Sequence, residues 1–379
     1  MKVTGFTTLS TEHDWGRPIG DANGVVASGR TRVPILVIHT DVGIDGIGLG
    51  PHDEIDRVFP GVEGHDPFAT NANYDRMLAR VFKDGHAAAF GTIGVIDTAL
   101  WDIKAKALDL PLWRLLGAED RFVPGYASGL DIGLDDEKLI AHYEKFSQRG
   151  FTAGKLKGGL SVTRDIERLV AVRDVLGAGG ERVSMMLDAN EIWQRKQAVQ
   201  YVRRVEAAVP LAWIEEPVRR WDADGLATVS GAVNAAVATG ENLVGLEQYT
   251  SLIRARAVDV VQAGSVFGIT HFLRVANLAY AHDLPISPVG YYANPAAHAA
   301  AAMPNHLACE VQDLGVPAGI AVDHVITDGG IVLGDAPGLG ISVDESSLAH
   351  GAPEGSPMGF ALEAGPHIRP ARAGLYLTL

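Results

Sequence analysis

Three acidic residues, Asp188, Glu215 and Glu241, each end a short, largely apolar run and lie 27 and 26 positions apart. A strand, a helix and their loops take roughly this length, so the spacing indicates successive β/α units of a parallel barrel. Acids at the carboxyl ends of such strands would converge at one mouth, where they would repel one another without a cation. Oxygen ligands of this kind suit Mg²⁺ better than zinc. The alternative is three unrelated caps or surface charges.

Two lysines, Lys155 and Lys157, flank Leu156 at the end of the preceding candidate strand. Residues two apart in a strand face the same side, so both amines would point into the barrel mouth. Neighbouring ammonium groups repel and burial disfavours charge, so we expect at least one lysine pKa to fall toward neutrality. Such a lysine can act as a general base. The alternative is a pair of solvated lysines in a basic turn.

The alternation of side chains along a strand also predicts which residues next to the acids face the barrel mouth. Asn190 lies two positions after Asp188, so we expect it to orient a ligand or the substrate. Glu216 directly follows Glu215, and both cannot point inward from a regular strand. The spacing to Glu241 favours Glu215 as the metal ligand, with Glu216 beginning the exit loop.

The elements that position these residues follow from periodicity. Residues 123–325 alternate between strand and helix patterns, with helices predicted over 163–176 and 196–207. Eight candidate strands end near Ser128, Lys157, Asn190, Glu215, Glu241, Gln262, Pro288 and Glu310. Residues 1–122 show an α+β pattern, with a strand over 33–40 and a helix over 92–108. The Gly-, Pro- and Ala-rich tail, 326–379, is expected to pack on this N-terminal domain. The fold class is therefore α/β, with a barrel whose active site lies at the strands' carboxyl ends.

Composition limits the possible partners and location. The 379 residues are 47% hydrophobic and 21% charged, as in ordinary globular proteins. A net charge of −14 argues against nucleic acid or anionic membrane as a partner. The single cysteine, Cys309, cannot form an internal disulfide. The N-terminus lacks the apolar region of a signal peptide and no segment reaches membrane-spanning length, so we expect a cytoplasmic protein.

Several motifs together resemble those of the enolase superfamily, and within it the mandelate racemase and acid-sugar dehydratase branch. They are Lys155-Leu156-Lys157, Leu187-Asp188-Ala189-Asn190, Trp213-Ile214-Glu215-Glu216-Pro217 and Thr239-Gly240-Glu241-Asn242. The resemblance implies a modified TIM barrel of the (β/α)7β type, with an α+β capping domain formed by the N-terminal segment and the C-terminal tail. It also implies Mg²⁺ on Asp188, Glu215 and Glu241, with Lys157 as the base and Lys155 tuning it.

The chain departs from this branch at the second base. The branch usually carries an Asp near the end of strand six and a His at the end of strand seven. Here strand six has neither Asp nor Lys at that place, and Val289 stands where the His would fall. The following Tyr292 is the candidate replacement acid, with Tyr291 contacting substrate, although such a pair also suits packing. Glu310 matches the family's acid that interacts with the substrate carboxylate. A structural salt bridge is the alternative for Glu310.

The resemblance also implies a reaction and a substrate class. Capping-domain loops select substrates in this family, and Arg17 and His52 are the candidates here, although both also suit ordinary surface positions. The implied reaction is Mg²⁺-dependent removal of the proton α to a carboxylate, giving a stabilised enediolate, with dehydration of an acid sugar to a 2-keto-3-deoxy acid preferred. The alternatives are a racemase or epimerase, a lactone cycloisomerase, or a non-catalytic acid-sugar-binding homologue. The expected partners are a small carboxylate and further copies of the chain, without nucleic acid or membrane.

Overall fold

The N-terminal part of the chain forms an antiparallel sheet followed by helices. The computed structural model describes residues 1–84, 89–290 and 295–350. Its first elements are β1 Val3–Asp14, β2 Ile19–Asp21, β3 Gly24–Val26, β4 Arg30–Thr40, β5 Gly46–Leu49, α1 Ile55–Val58, α2 Thr70–Val81, α3 Phe90–Ala107 and α4 Leu112–Leu115. β4 pairs antiparallel with both β1 and β5. The helices pack on this sheet through a separate apolar cluster that includes Leu36, Ile38 and Ile93.

In the next part of the chain, the described residues form eight strands that alternate with seven α-helices. They are β6 Phe122–Ser128, α5 Asp136–Ser147, β7 Ala153–Lys157, α6 Val162–Leu176, β8 Ser184–Asp188, α7 Arg195–Glu206, β9 Leu211–Glu215, α8 Ala223–Ser230, β10 Ala236–Thr239, α9 Leu246–Arg254, β11 Val260–Gly264, α10 Ile269–Tyr280, β12 Ile286–Val289, α11 Ala296–Ala300 and β13 Cys309–Val311. Neighbouring strands from β6 to β12 pair in parallel, and β13 pairs in parallel with β6. This is the (β/α)7β order that the sequence predicts.

The barrel closes between its seventh and eighth strands by short contacts rather than a long ladder. Ile286 bridges His306, and the Ser287 hydroxyl donates to the Ala308 carbonyl at 2.8 Å. All five residues of β11 are buried, as expected for parallel strands covered on both faces. Among the helices of the described ranges, none is both long and apolar enough to cross a membrane.

Helix α3 joins the N-terminal domain to the barrel through two buried carboxylates. Asp97 accepts hydrogen bonds from the backbone N–H and the hydroxyl of Thr270, at 2.7 and 2.6 Å, in the first turn of α10. Asp102 accepts from the backbone N–H of Ile47 at 2.9 Å and of Leu339 at 2.8 Å. One helix is therefore bonded to the N-terminal sheet, the barrel and the tail at once.

The C-terminal tail contacts both parts of the molecule. Its strands are β14 Ile320–Val322, β15 Val325–Thr327, β16 Gly330–Val332, β17 Ile341–Val343 and β18 Ala349–His350. β18 pairs antiparallel with β1 of the N-terminal sheet. β16 pairs antiparallel with β6, so the tail also extends the barrel sheet by a β15–β16 hairpin.

Candidate active site

The carboxyl ends of β7, β8 and β9 bring two lysines and two acids together. Lys157 is the ladder partner of Asp188, which is in turn the partner of Glu215. All three residues are buried. The Lys157 ammonium lies 2.5 Å and the Lys155 ammonium 3.6 Å from Asp188 Oδ2. Both lysines therefore face the same side of their strand, as the alternation of side chains predicts.

Lys155 also connects the middle of the site to the eighth strand. Its ammonium lies 2.5 Å from Glu215 Oε1 and 2.9 Å from Glu310 Oε1, and 5.5 Å from the centre of the Tyr126 ring. Glu310 Oε2 in turn accepts a hydrogen bond from Gln312 Nε2 at 2.9 Å. Glu310 is therefore a buried acid inside the barrel, held in an ion pair with Lys155.

The expectation that repulsion between the lysines lowers a lysine pKa is wrong for this arrangement. Burial lowers the pKa of Lys155, but attraction by Glu215 and Glu310 outweighs it, and its pKa lies well above the usual value. Burial likewise lowers the pKa of Lys157, and attraction by Asp188 outweighs it. Burial raises the pKa of Asp188, but the two lysines lower it to about 2. Both lysines are thus ammonium ions in this state.

Glu241 and Glu216 share one amide partner at the edge of the site. Glu241 follows the end of β10 and is half-buried. Asn242 Nδ2 donates to Glu241 Oε1 and to Glu216 Oε1, both at 3.0 Å. Glu216 has a left-handed backbone with φ of 43°, which turns its side chain out of the strand direction that Glu215 follows. This agrees with the inference that Glu216 begins the exit loop.

The three predicted metal ligands are not preassembled around a metal position. Among the residues that the structure describes, no group of three acidic, histidine or cysteine side chains is arranged to hold a metal ion. The ammonium groups of Lys155 and Lys157 lie against Asp188 and Glu215 and offset part of the expected repulsion among the carboxylates. The repulsion is still present, because burial together with Asp188 and Glu241 raises the pKa of Glu215 to about 8. The donor set still fits Mg²⁺, since it consists of carboxylate oxygens at the ends of consecutive strands.

Asn190 lies at the mouth, next to the N-terminal domain. Its backbone N–H donates to Asp188 Oδ1 at 2.9 Å, and its carbonyl accepts from Asn23 Nδ2 at 3.2 Å. Its side-chain oxygen is buried and has no hydrogen-bond partner among the described residues. An amide oxygen in that state can accept a hydrogen bond from a substrate hydroxyl.

Arg17 lies in the loop after β1, with its guanidinium 5.7 Å from the centre of the Trp15 ring. Burial lowers its pKa, while Asp131 and Asp313, which follow β6 and β13, oppose that effect. Its Nη2 atom is buried without a hydrogen-bond partner among the described residues. The structure therefore places a partly unpaired cation beside the exit loops of the first and eighth barrel strands.

The remaining predicted substrate contacts have different outcomes. His52 is buried, and its Nε2 lies 3.5 Å from the Leu9 carbonyl of β1, within the N-terminal domain. Tyr291 and Tyr292 lie outside the described residues. Val289, where a His would stand in related enzymes, is buried at the end of β12.

One residue of the site was not predicted. Gln262 on β11 is fully buried, and its Nε2 donates to Glu215 Oε2 at 2.7 Å. The available signal was a single amide within the otherwise apolar run Val260–Gly264. Such a residue in a buried strand needs a polar partner, and the inside of a barrel is where it can find one.

Comparisons with known proteins agree with this fold and site. Residues 7–117 match the mandelate racemase/muconate lactonizing enzyme N-terminal domain, and residues 138–347 match the enolase C-terminal domain-like family. The chain belongs to the mandelate racemase/muconate lactonizing enzyme family of the enolase superfamily. It is therefore an enzyme of that superfamily, with the α/β modified TIM barrel and N-terminal capping domain predicted from its sequence.

Individual relatives differ in the reaction for which they are named. The chain is 33% identical to 3,6-anhydro-alpha-L-galactonate cycloisomerase of Streptomyces coelicolor, over 70% of this chain and 73% of that protein. It is also 33% identical to L-talarate/galactarate dehydratase of Salmonella typhimurium, over 72% of each. A racemase from Streptomyces coelicolor with bound magnesium has a similar structure, with a TM-score of 0.83, 27% identity, and coverage of 92% of this chain and 99% of that one.

Proposed function

We propose that this protein is a Mg²⁺-dependent lyase that removes the proton α to the carboxylate of an acid sugar and eliminates water. The observation that carries the proposal is the position of Lys157. Its ammonium lies 2.5 Å from Asp188, so the candidate base stands directly beside a predicted metal ligand. A substrate carboxylate held there would place its α-carbon near this lysine.

Asp188, Glu215 and Glu241 are the residues that would hold Mg²⁺. The bound cation supplies positive charge that stabilises the enediolate as it forms. Lys157 must become a neutral amine before it can accept a proton, and its ion pair with Asp188 opposes this. Active enzyme therefore requires a state in which Asp188 has a partner other than Lys157.

Lys155 and Glu310 have supporting roles in this proposal. Lys155 is held between Glu215 and Glu310, so its ammonium is positioned to contact a substrate carboxylate rather than to take the α-proton. Glu310 fixes that ammonium and is itself fixed by Gln312. The proton taken by Lys157 can then be returned to the departing β-hydroxide from the same face, which completes elimination of water with one acid–base group.

The proposed substrate carries a second acidic group far from the reacting carbon. The unpaired Nη2 of Arg17 is a buried donor that a carboxylate would satisfy, and arginine binds carboxylates in a bidentate manner. One relative is named as a talarate and galactarate dehydratase, and both of those acids carry a carboxylate at each end. A dicarboxylic acid sugar is therefore the preferred substrate class.

A cycloisomerase is the second candidate, because a relative named as a 3,6-anhydro-alpha-L-galactonate cycloisomerase is as similar in sequence as the dehydratase. Both reactions begin with loss of an α-proton, so product analysis must separate them. In a panel of aldaric, aldonic and anhydro-sugar acids incubated with Mg²⁺ and followed by NMR, we expect an aldaric acid to lose water and yield a 2-keto-3-deoxy acid. Ring opening without loss of water would favour the cycloisomerase, and no consumption of any acid would contradict both proposals.

A further inference from the structure

Three successive exit loops of the barrel are tied together at their tips. Glu191 follows β8, Arg220 follows β9 and Asn242 follows β10. None of these residues is a predicted metal ligand, yet Asp188 and Glu215 are the last residues of the strands before the first two loops, and Glu241 lies in the third loop. Contacts among the loop tips can therefore fix the distances between the acids.

A series of hydrogen bonds connects Glu191 to Glu241 through Arg220 and Asn242. Arg220 donates to Glu191 Oε1 through Nε at 2.5 Å and through its backbone N–H at 3.2 Å. Arg220 Nη1 donates to the backbone carbonyl of Asn242 at 3.2 Å. The side-chain amide of Asn242 then donates to Glu241 and to Glu216, both at 3.0 Å.

The backbone is distorted where this chain of contacts begins. Glu191 has φ of 63° and follows Asn190 with φ of 44°, so two consecutive non-glycine residues adopt the left-handed conformation. That conformation is uncommon for residues with a Cβ and persists where surrounding contacts require it. Glu191 is only 3% exposed, so its charge needs the arginine partner that the distorted backbone presents to it.

We propose that Glu191, Arg220 and Asn242 form a positioning network that holds the Glu241 carboxylate in place for the metal. The inference rests on the metal site proposed above. Arg220 hydrogen-bonds to Asn242, and the hydrogen bond to Glu241 comes from Asn242, so Arg220 is a positioning residue and not a catalytic one. Groups that orient metal ligands through a hydrogen bond commonly affect metal affinity by about 10–100-fold when they are removed.

The test is Mg²⁺ affinity, measured by titration calorimetry on the full chain without substrate. Arg220→Met should weaken Mg²⁺ binding by roughly tenfold or more. That change leaves Glu191 with the backbone N–H of residue 220 at 3.2 Å and a longer, 3.5 Å contact to the Arg219 guanidinium. The double variant Glu191→Gln/Arg220→Met removes both charges, so that a buried carboxylate without its arginine cannot be the cause of the loss. It should show the same weakened binding.

Arg219→Met is the matched control. Arg219 is adjacent in sequence and also contacts Glu191, but its guanidinium lies 5.4 Å from the Trp221 ring and its only hydrogen bond to a side chain in the described residues is to Glu191. It should keep wild-type affinity within about threefold, whereas the variants of Arg220 should not.

The outcomes separate this inference from the proposed function. Wild-type protein that binds Mg²⁺ alongside Arg220 variants that bind it equally well would overturn the positioning network alone. Wild-type protein that does not bind Mg²⁺ would overturn the metal site and the network with it. Equal losses in the Arg219 and Arg220 variants would show a general effect of loop charge and would also overturn the network.

Discussion

At the scale of single residues, the site is a set of buried charges that neutralise one another. Lys155 and Lys157 face Asp188, Glu215 and Glu310 with almost no exposure to solvent. Buried charges of this kind are tolerated because each has an opposite partner, and removing one partner leaves the other uncompensated. The same pairing that stabilises the folded chain keeps the candidate base protonated.

Lys157→Ala should abolish turnover without removing the metal site. A general base contributes about 10²–10⁴-fold to a rate, so we expect dehydration to fall at least a hundredfold. The shift of melting temperature by Mg²⁺ should persist in this variant, because no predicted ligand is altered. Lys138→Ala, an exposed lysine on α5 paired with Asp135, is the control and should behave as wild type. Near-normal turnover in Lys157→Ala would refute its role as the base.

Arg17→Ala should weaken the binding of dicarboxylic substrates selectively rather than lower the rate for every substrate. Loss of a bidentate partner should raise KM for a dicarboxylic acid sugar about tenfold or more, and leave a monocarboxylic one nearly unchanged. Arg30→Ala is the matched control, since Arg30 is exposed and paired with Glu12. Equal effects of Arg17→Ala on both substrates would remove its assignment to the distal carboxylate.

At the scale of elements, α3 is the helix that fixes the capping domain on the barrel. Its Asp97 is buried and accepts two hydrogen bonds at the start of α10. Burial raises the pKa of Asp97 from 3.8 to about 7, even though the bonds to Thr270 favour the charged form. The folded chain therefore holds a carboxyl that is more easily ionised once the chain unfolds.

The raised pKa of Asp97 predicts that the stability of the fold depends on pH. An acid whose pKa is raised in the folded state favours the unfolded state as pH rises, so its contribution to folding should decline between about pH 4 and pH 7. Asp97→Asn removes that titration and can still accept from the Thr270 N–H. The free energy of unfolding of the variant relative to wild type should therefore rise across this window, by as much as ~4 kcal/mol. Denaturant titrations of both proteins at about pH 4 and about pH 7 test this prediction. A difference in the free energy of unfolding that stays the same at both pH values would contradict it.

Elements were easier to predict than the contacts between them. The strand ends at Lys157 and Glu215 followed from the short apolar runs and the alternation of strand and helix patterns, and the observed strands end there. The pairing of both lysines with acids did not follow, because it depends on a ring of strands closing around them. The contact of Arg220 with Glu191 could not be predicted either, since it requires a left-handed backbone at Glu191 that no local sequence pattern indicates.

At the scale of the whole molecule, the barrel supplies the charged site and the capping domain supplies side chains that approach it. Asn23, in the turn between β2 and β3, donates to the Asn190 carbonyl at the end of the third barrel strand. Gly20 also bridges Asp131 after the first barrel strand. The two domains thus meet at the mouth, where a substrate would be enclosed.

Mg²⁺ should stabilise the whole fold by linkage, because it would bind the folded site and not the unfolded chain. Saturation at a hundred times the dissociation constant would add about 2.7 kcal/mol to the free energy of unfolding. The melting temperature of the wild type should therefore rise with Mg²⁺ concentration, and Asp188→Asn should remove that rise. Asp136→Asn, an exposed acid on α5, is the control. An unchanged response in Asp188→Asn would exclude Asp188 from the metal site.

The most direct test of the proposed reaction is incubation of an accepted acid sugar in D₂O, with the configuration at its α-carbon followed by NMR. Lys157 can serve as both the base and the acid from one face of the substrate, so elimination should proceed with syn geometry. We predict a 2-keto-3-deoxy acid as product and no epimer in the remaining substrate. Inversion at the α-carbon with deuterium uptake would contradict the account and indicate an epimerase with a second acid–base group.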